Sequence, residues 1–350
     1  MIKVLVVDDS VFMRKLLGDL FSNEADFCVI ETARNGKDAV DKAKRLKPDL
    51  ITLDVEMPIV DGIKALEVIM SECPTPVVMI SSLTKAGAIA TLRALELGAV
   101  DFVAKTAGPI SNIADVRAEI LAKCRAAVRA NVAQLTKTQT TSRMPPMTKQ
   151  VYSPPGVQTE ERIIAIGTST GGPRALQEVI TKIPGNIPCG IVIVQHMPPG
   201  FTKSLAERLN SLSSVTVKEA EHNDVVRPGL VLIAPGDYHM LLEKEGGKVV
   251  VKLSQNPPIG GHRPAVDPLL ESVARIFGSK AIGVILTGMG HDGTKGIQAI
   301  KRQNGQTIAE DQSTAVVFGM PKSAIEAGVV DRVAPITGIT AEILRALAKQ

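Results

Sequence analysis

Short apolar runs recur along this chain, and each gives way to a polar or glycine-rich break and then to an amphipathic stretch. That alternation constrains the fold more than any other feature. Short, nearly continuous apolar runs suit strands buried on both faces, and the helices between them supply the cover. Ile2–Val7, Phe27–Thr32, Leu50–Asp54, Val77–Ser81 and Asp101–Ala104 are the runs of the first part. Between them Phe12, Leu16 and Leu20 share a helical face, as do Ala39, Ala43 and Leu46, and Ile63, Leu66 and Met70. A last helix runs through Ile113, Val116, Ile120 and Cys124. Such βα units predict a doubly wound, five-stranded parallel sheet.

From about Asn131 to Glu160 the alternation stops, in a stretch rich in Thr, Gln, Ser and Pro with two Pro-Pro pairs. It offers too little apolar surface to offset its ordering entropy and reads as a flexible linker. The expected division is a first domain at 1–125, a helix end and linker at 126–160, and a second domain at 161–350. There Arg162–Ile166, Gly190–Val194, Val231–Ala234, Val249–Leu253 and Ala281–Leu286 read as strands. Gly246-Gly247 marks a hairpin, so the second domain is expected to be a doubly wound, mostly parallel α/β sheet with an antiparallel edge hairpin.

Composition excludes several classes of function. Seven Phe, two Tyr and no Trp leave little with which to stack bases. The formal charge is only +4, with no long Lys or Arg block, so neither nucleic acid nor an anionic membrane is an expected partner. Cys28, Cys73, Cys124 and Cys189 lie far apart without C-x-x-C, which fits reduced thiols in a cytosol. No signal peptide or apolar run of about 18 residues is seen, so a cytoplasmic protein without membrane insertion is expected.

In open α/β sheets, ligands gather beyond the carboxyl ends of the strands. Asp8 and Asp9 end the first run, Asp54 the third and Ser81 the fourth, and Lys105 follows the fifth. Carboxylates converging there repel one another unless a cation sits among them, and Mg²⁺ suits such oxygens. A lysine and a hydroxyl beside them suit a transient anion, such as a phosphoryl group on Asp54. The plainer reading of each residue is a helix cap, with Asp9 or Ser10 as the N-cap of the first helix. Five residues at one sheet edge favour the functional reading.

VVDDS at Val6–Ser10, LDVEMPIVDG at Leu53–Gly62, MISS at Met79–Ser82 and DFVAK at Asp101–Lys105 resemble a bacterial response-regulator receiver domain, over roughly 1–125. The resemblance implies a flavodoxin-like fold in which Asp54 accepts phosphate from a histidine kinase. It implies that Asp8, Asp9, Asp54 and the Glu56 carbonyl hold Mg²⁺, and that Ser81 and Lys105 contact the phosphoryl oxygens. Phe102 stands where receivers place a switch aromatic.

The second domain opens with a strand, then Gly167-Thr168-Ser169-Thr170-Gly171, then an amphipathic helix, which matches G-x-S-x-G. The glycines permit a tight turn that lifts the serine hydroxyl to a helix N-terminus, where the Thr170 amide is a candidate oxyanion donor. A glycine-rich strand-to-helix turn also cradles nucleotide phosphates, so the turn alone leaves both chemistries open. A serine nucleophile needs a base and an orienting acid. His196 ends the next strand and His291 sits beside Asp292 at another strand end, so the two compete as base, with Asp292 the best acid. His222 and His239 read as surface or loop residues, and His262 as a loop residue whose place at a pocket stays open.

GTSTGGP, IVIVQHMP, IAPGDYHM, HRPAVD and ILTGMGHDG resemble the catalytic domain of the chemotaxis protein-glutamate methylesterases. With the receiver and linker ahead of it, the resemblance covers the whole chain. It implies a triad of Ser169, His196 and Asp292, with His291 outside it and the Met289 amide as a second oxyanion donor. It further implies hydrolysis of glutamate methyl esters on chemoreceptors, deamidation of receptor glutamines and activation by phosphorylation of Asp54. No cofactor is expected for hydrolysis. A chemotaxis histidine kinase and methyl-accepting chemoreceptors are the expected partners, and a monomer the expected state. Two rivals are weaker. A transcription regulator lacks a helix-turn-helix or basic face after the linker, and a nucleotide-binding enzyme lacks GK[ST] and a suitably spaced acid.

Overall fold

The computed structural model describes residues 1–105, 113–130 and 162–348, apart from the side chains of 113–116. The expected linker at 131–160 lies outside them. The chain divides into two compact units, Met1–Arg143 and Met144–Gln350.

In the first unit the strands are β1 (Ile2–Val7), β2 (Phe27–Ala33), β3 (Leu50–Asp54), β4 (Val77–Ser82) and β5 (Asp101–Lys105). The helices are α1 (Val11–Ser22), α2 (Gly36–Leu46), α3 (Gly62–Glu72), α4 (Lys85–Leu97) and α5 (Ile113–Val128). The sheet is wholly parallel in the order β2-β1-β3-β4-β5. The order reverses between β1 and β3, so the ends of these strands flank a crevice. Strand β3 is buried at every residue, as the unbroken apolar run requires. Ser10, Asn35, Asp61 and Thr84 each cap a helix by accepting from a first-turn amide. Ser10, not Asp9, therefore caps α1. The face expected from Phe12 is not the core face, because Phe12 is 71% exposed while Leu17, Leu20 and Phe21 are buried.

The second unit holds β6 (Ile163–Thr168), α6 (Gly172–Ile180), β7 (Gly190–Gln195), α7 (Phe201–Leu212), β8 (Thr216–Glu219) and β9 (Leu230–Ile233). There follow β10 (His239–Glu245), β11 (Lys248–Ser254), α8 (Val266–Phe277), β12 (Ala281–Ile285) and α9 (Thr294–Arg302). It ends with β13 (Gln306–Glu310), α10 (Met320–Glu326), β14 (Arg332–Ala334) and α11 (Ile336–Ala348). Seven strands form a parallel sheet in the order β14-β13-β12-β6-β7-β9-β8. The expected antiparallel hairpin is β10-β11, turning on Gly246 (φ 54°) and Gly247 (φ 79°), and it pairs as a two-stranded sheet of its own. Met240, Leu242, Val249 and Val251 of the hairpin join α8 and the central strands in one core.

Strands β8, β13 and β14 carry no apolar run strong enough to be read from sequence. TVKE and RVA are short and polar, and in QTIAE the buried ends are Thr307 and Glu310, which hydrogen bonds satisfy.

Candidate active site and acidic crevice

Three neighbouring strands of the second unit, β12, β6 and β7, end side by side. Ser169 follows β6, His196 follows β7, and Asp292 lies on the turn between β12 and α9. Parallel pairing puts all three at the same sheet edge, with β6 in the middle, one strand spacing of about 4.8 Å from each of the other two.

Ser169 is buried to 9% exposure on the turn from β6 into α6. Its backbone is held on both sides. The Ser169 amide donates to Thr287 O at 3.0 Å, and its carbonyl accepts from Gly172 N at 2.7 Å and from Gln195 Nε2 at 3.0 Å. Gly171 takes φ 77°, the left-handed conformation the tight turn needs. Thr170 and the start of α6 then direct amide dipoles towards the serine. From the other side Gly288 closes in: a Cβ there would come 2.8 Å from Ser169 Cβ.

His196 Nε2 meets Asp292 Oδ2 at 2.8 Å. A carboxylate only accepts, so Nε2 carries a proton, and in the neutral ring the lone pair is then on Nδ1. Nδ1 is buried and has no hydrogen-bond partner among the described residues. It is therefore the ring atom available as a base. Asp292 is fixed in turn by the N-terminus of α8, with Val266 N on Oδ2 at 2.6 Å and Asp267 N on Oδ1 at 3.0 Å. Burial disfavours its charge, but the His196 ring and these two amides outweigh burial and hold its carboxyl below the usual range. An ionised acid behind the imidazole is the arrangement that stabilises an imidazolium when a serine proton moves. His291 is exposed, so His196 alone of the two competing histidines joins the acid.

Several partners carried no sequence signal of their own. Gln195 donates from Nε2 to both Ser169 O and His196 O, tying the two turns together. A glutamine closing an apolar strand was the only hint. Thr287 Oγ1 lies at 2.9 Å from Thr170 O, and the Thr287 amide donates to Glu310 Oε2 at 2.8 Å. Glu310 is wholly buried beneath this strand end, and burial pushes its carboxyl up to about 7. His239, expected at the surface, is buried in β10, where Ala265 N donates to its Nδ1 and Pro257 O pairs with Nε2. Its ring bridges two points of the backbone between β11 and α8. His222 keeps to a loop, where it accepts from Leu253 N. His262 stacks on His196.

In the first unit, Asp8 is fully buried, Asp54 nearly so, and Asp9 exposed. Their ligand oxygens lie within 4.8 Å of one another. Lys105 Nζ sits 2.8 Å from Asp54 Oδ2 and 3.1 Å from Asp8 Oδ2. Burial pushes the Asp54 carboxyl up to about 6, against the pull of Lys105 and the Glu56 amide, while the Asp8 charge adds to the rise. Such a donor set fits Mg²⁺, a hard cation that takes carboxylate oxygens at about 2.1 Å. Ser81 is wholly buried and its hydroxyl donates to Gly87 O at 3.2 Å. Phe102 is buried, with Lys123 Nζ 5.1 Å above its ring.

A family model described as CheB methylesterase matches residues 164–343, and one described as response regulator receiver domain matches residues 4–116. The protein-glutamate methylesterase/protein-glutamine glutaminase of Geobacillus kaustophilus is 49% identical over 350 residues, 99% of each chain. Its namesake in Thermotoga maritima is 50% identical over 344 residues, 98% of each chain. The crystal structure of the Thermotoga maritima CheB methylesterase catalytic domain superposes with a TM-score of 0.52 at 54% identity, covering 53% of this chain and 98% of that one.

Proposed function

The chain belongs to the CheB methylesterase family, with a response-regulator receiver domain ahead of the esterase, and on that premise we propose that it is a phosphorylation-activated serine hydrolase of chemotaxis. It hydrolyses glutamate γ-methyl esters on chemoreceptors, releasing methanol, and deamidates receptor glutamines, releasing ammonia. The receiver occupies 1–125, a connecting segment 126–160 and the hydrolase 161–350. The observation that carries this reading is the 2.8 Å contact between His196 and Asp292 at a sheet edge shared with Ser169.

In this reading Ser169 Oγ attacks the ester carbonyl while His196 Nδ1 takes its proton. Asp292 holds the Nε2–H tautomer and stabilises the imidazolium. The oxyanion is met by the Thr170 and Met289 amides, the first reinforced by the N-terminus of α6. Collapse of the tetrahedral intermediate breaks the acyl C–O bond, and methanol leaves with the proton from Nδ1. Water, deprotonated at the same atom, then cleaves the acyl-enzyme to give the glutamate acid and free Ser169.

In the receiver, Asp54 is the phosphoacceptor for a chemotaxis histidine kinase. Asp8, Asp9, Asp54 and the Glu56 carbonyl are the residues that would hold Mg²⁺, which when bound offsets the charge of the phosphoryl group. Lys105 moves its positive charge from the carboxylates to the phosphoryl oxygens, and Ser81 turns its hydroxyl from Gly87 O to the same group. No described helix is long and apolar enough to cross a membrane, and the protein acts from the cytoplasm on the cytoplasmic parts of its receptors.

Methanol release from methylated receptor membranes, with and without a small phosphodonor, tests the whole reading. Release is expected to rise with phosphodonor and to vanish in Ser169→Ala. Release that persists in Ser169→Ala would overturn the nucleophile, and release indifferent to phosphodonor would overturn the activation.

A further inference from the structure

We infer that His262 is a positioning residue for His196, holding the face of the base while Asp292 holds its edge. The inference rests on the triad proposed above. The two imidazole rings lie flat on each other, with centroids 3.9 Å apart and planes 10° from parallel.

The need for a second contact follows from the first. Asp292 fixes His196 at one atom, Nε2, and Nδ1 has no hydrogen bond among the described residues. The ring turns about its Cβ–Cγ bond, and a contact at Nε2, close to that axis, restrains the turn weakly, so Nδ1 sweeps the wider arc. Displacement of a reacting group by about 1 Å costs on the order of a hundredfold in rate. A flat stack opposes that turn through the face of the His196 ring, without occupying Nδ1.

His262 is presented on a braced loop. Ile259 and His262 exchange backbone hydrogen bonds, each at 3.0 Å, across a turn in which Gly260 has φ 59° and Gly261 φ 82°. The next residue, Arg263, donates from Nε to Asp237 Oδ1 at 3.0 Å and from Nη1 to the carbonyls of Gln255 and Asn256 at 3.0 and 3.1 Å. Only a few residues further on, Val266 N and Asp267 N bind Asp292. One short segment therefore supplies the ring on the face of His196 and the amides that fix its acid. Position along the chain couples the two: a shift of this segment moves both supports together.

The test uses the full chain and two readouts. The first is the rate at which a fluorophosphonate labels Ser169, which needs the base but not the natural substrate. The second is methanol release resolved into kcat and KM. His262→Ala is expected to slow labelling about ten- to hundredfold and to lower kcat similarly, with KM unchanged within about twofold. His262→Phe, which restores a flat ring without a titratable nitrogen, is expected to recover most of that loss. Should His262→Ala not fold, His262→Gln takes its place. Labelling at the wild-type rate without the ring, an effect confined to KM, or a Phe variant as slow as the Ala variant would each overturn the inference. Wild-type protein that labels elsewhere than Ser169 would instead overturn the triad beneath it.

Discussion

Asp292 binds His196 through the same oxygen, Oδ2, that accepts the first amide of α8, so one carboxylate both orients the imidazole and caps a helix. The acid of the site is therefore fixed by secondary structure and is not merely adjacent to its histidine. Asp292→Asn keeps an acceptor for one of the amides but removes the charge that favours the imidazolium. Hydrolysis is expected to fall by about 10³–10⁴ in kcat. Asp292→Ala is expected to lose as much activity and, in addition, about 1–3 kcal/mol of stability, because the Val266 and Asp267 amides are left unpaired. Ester hydrolysis and thermal melts of the two variants separate the effects.

Gly288 sets the space around Ser169. In Gly288→Ala the new methyl would stand 2.8 Å from Ser169 Cβ and 2.3 Å from Met320 Sδ. The methionine tip can swing aside, but Ser169 Cβ sits on a turn whose backbone is held by two backbone hydrogen bonds and one from the Gln195 side chain. The expected outcome is a folded protein whose serine labels at least about a hundredfold more slowly with a fluorophosphonate.

Glu310 gives stability a pH dependence of defined sign. Its carboxyl titrates at about 7 in the folded state and at about 4.3 when unfolded. The folded state therefore holds a proton that the unfolded state has released between these values. Stability is expected to fall as pH rises from about 4.5 to 7 and to level off above, with a contribution on the order of 3 kcal/mol. Glu310→Gln removes the charge and can still accept from Thr287 N. Its denaturation midpoint is expected to lose that slope and to exceed the wild type's at pH 8, and a slope unchanged in the variant would exclude Glu310 as its source.

Lys105 balances two buried carboxylates in the receiver. In Lys105→Ala, Asp8 and Asp54 face each other without a cation, at an expected loss of about 1–3 kcal/mol once partial exposure of the lysine is allowed for. Millimolar Mg²⁺ is expected to restore the melting temperature, because it supplies the missing charge between the same oxygens. Asp54→Asn is expected to melt higher than Lys105→Ala without metal and to accept no phosphate from a small phosphodonor.

Much of this protein is written in local pattern. The buried parallel strands β1, β3, β4, β6, β7 and β12 are short apolar runs, and such runs have few places to go other than the middle of a covered sheet. The strand-end positions of Asp8, Asp54, Ser169 and His196 follow at once, since a parallel sheet gathers its carboxyl ends along one edge. Strands β8 and β14 escape such a reading because their stabilisation comes from pairing with a neighbour more than from their own apolar content. Phe12 likewise has the right helical phase on paper, yet α1 turns Leu17, Leu20 and Phe21 inwards.

The sequence by itself determined the two α/β halves, the acidic edge of the first, and the serine turn with two histidines competing to serve it in the second. Folding in three dimensions was needed to bring His196 against Asp292, bury His239, lay His262 on His196 and put Glu310 beneath Thr287. The reason is physical. Strands and turns arise from interactions a few residues apart, which a single chain displays in order. A hydrogen bond such as His196 to Asp292 spans 96 residues, and whether its partners meet depends on strand order, which is set by the packing of the whole sheet.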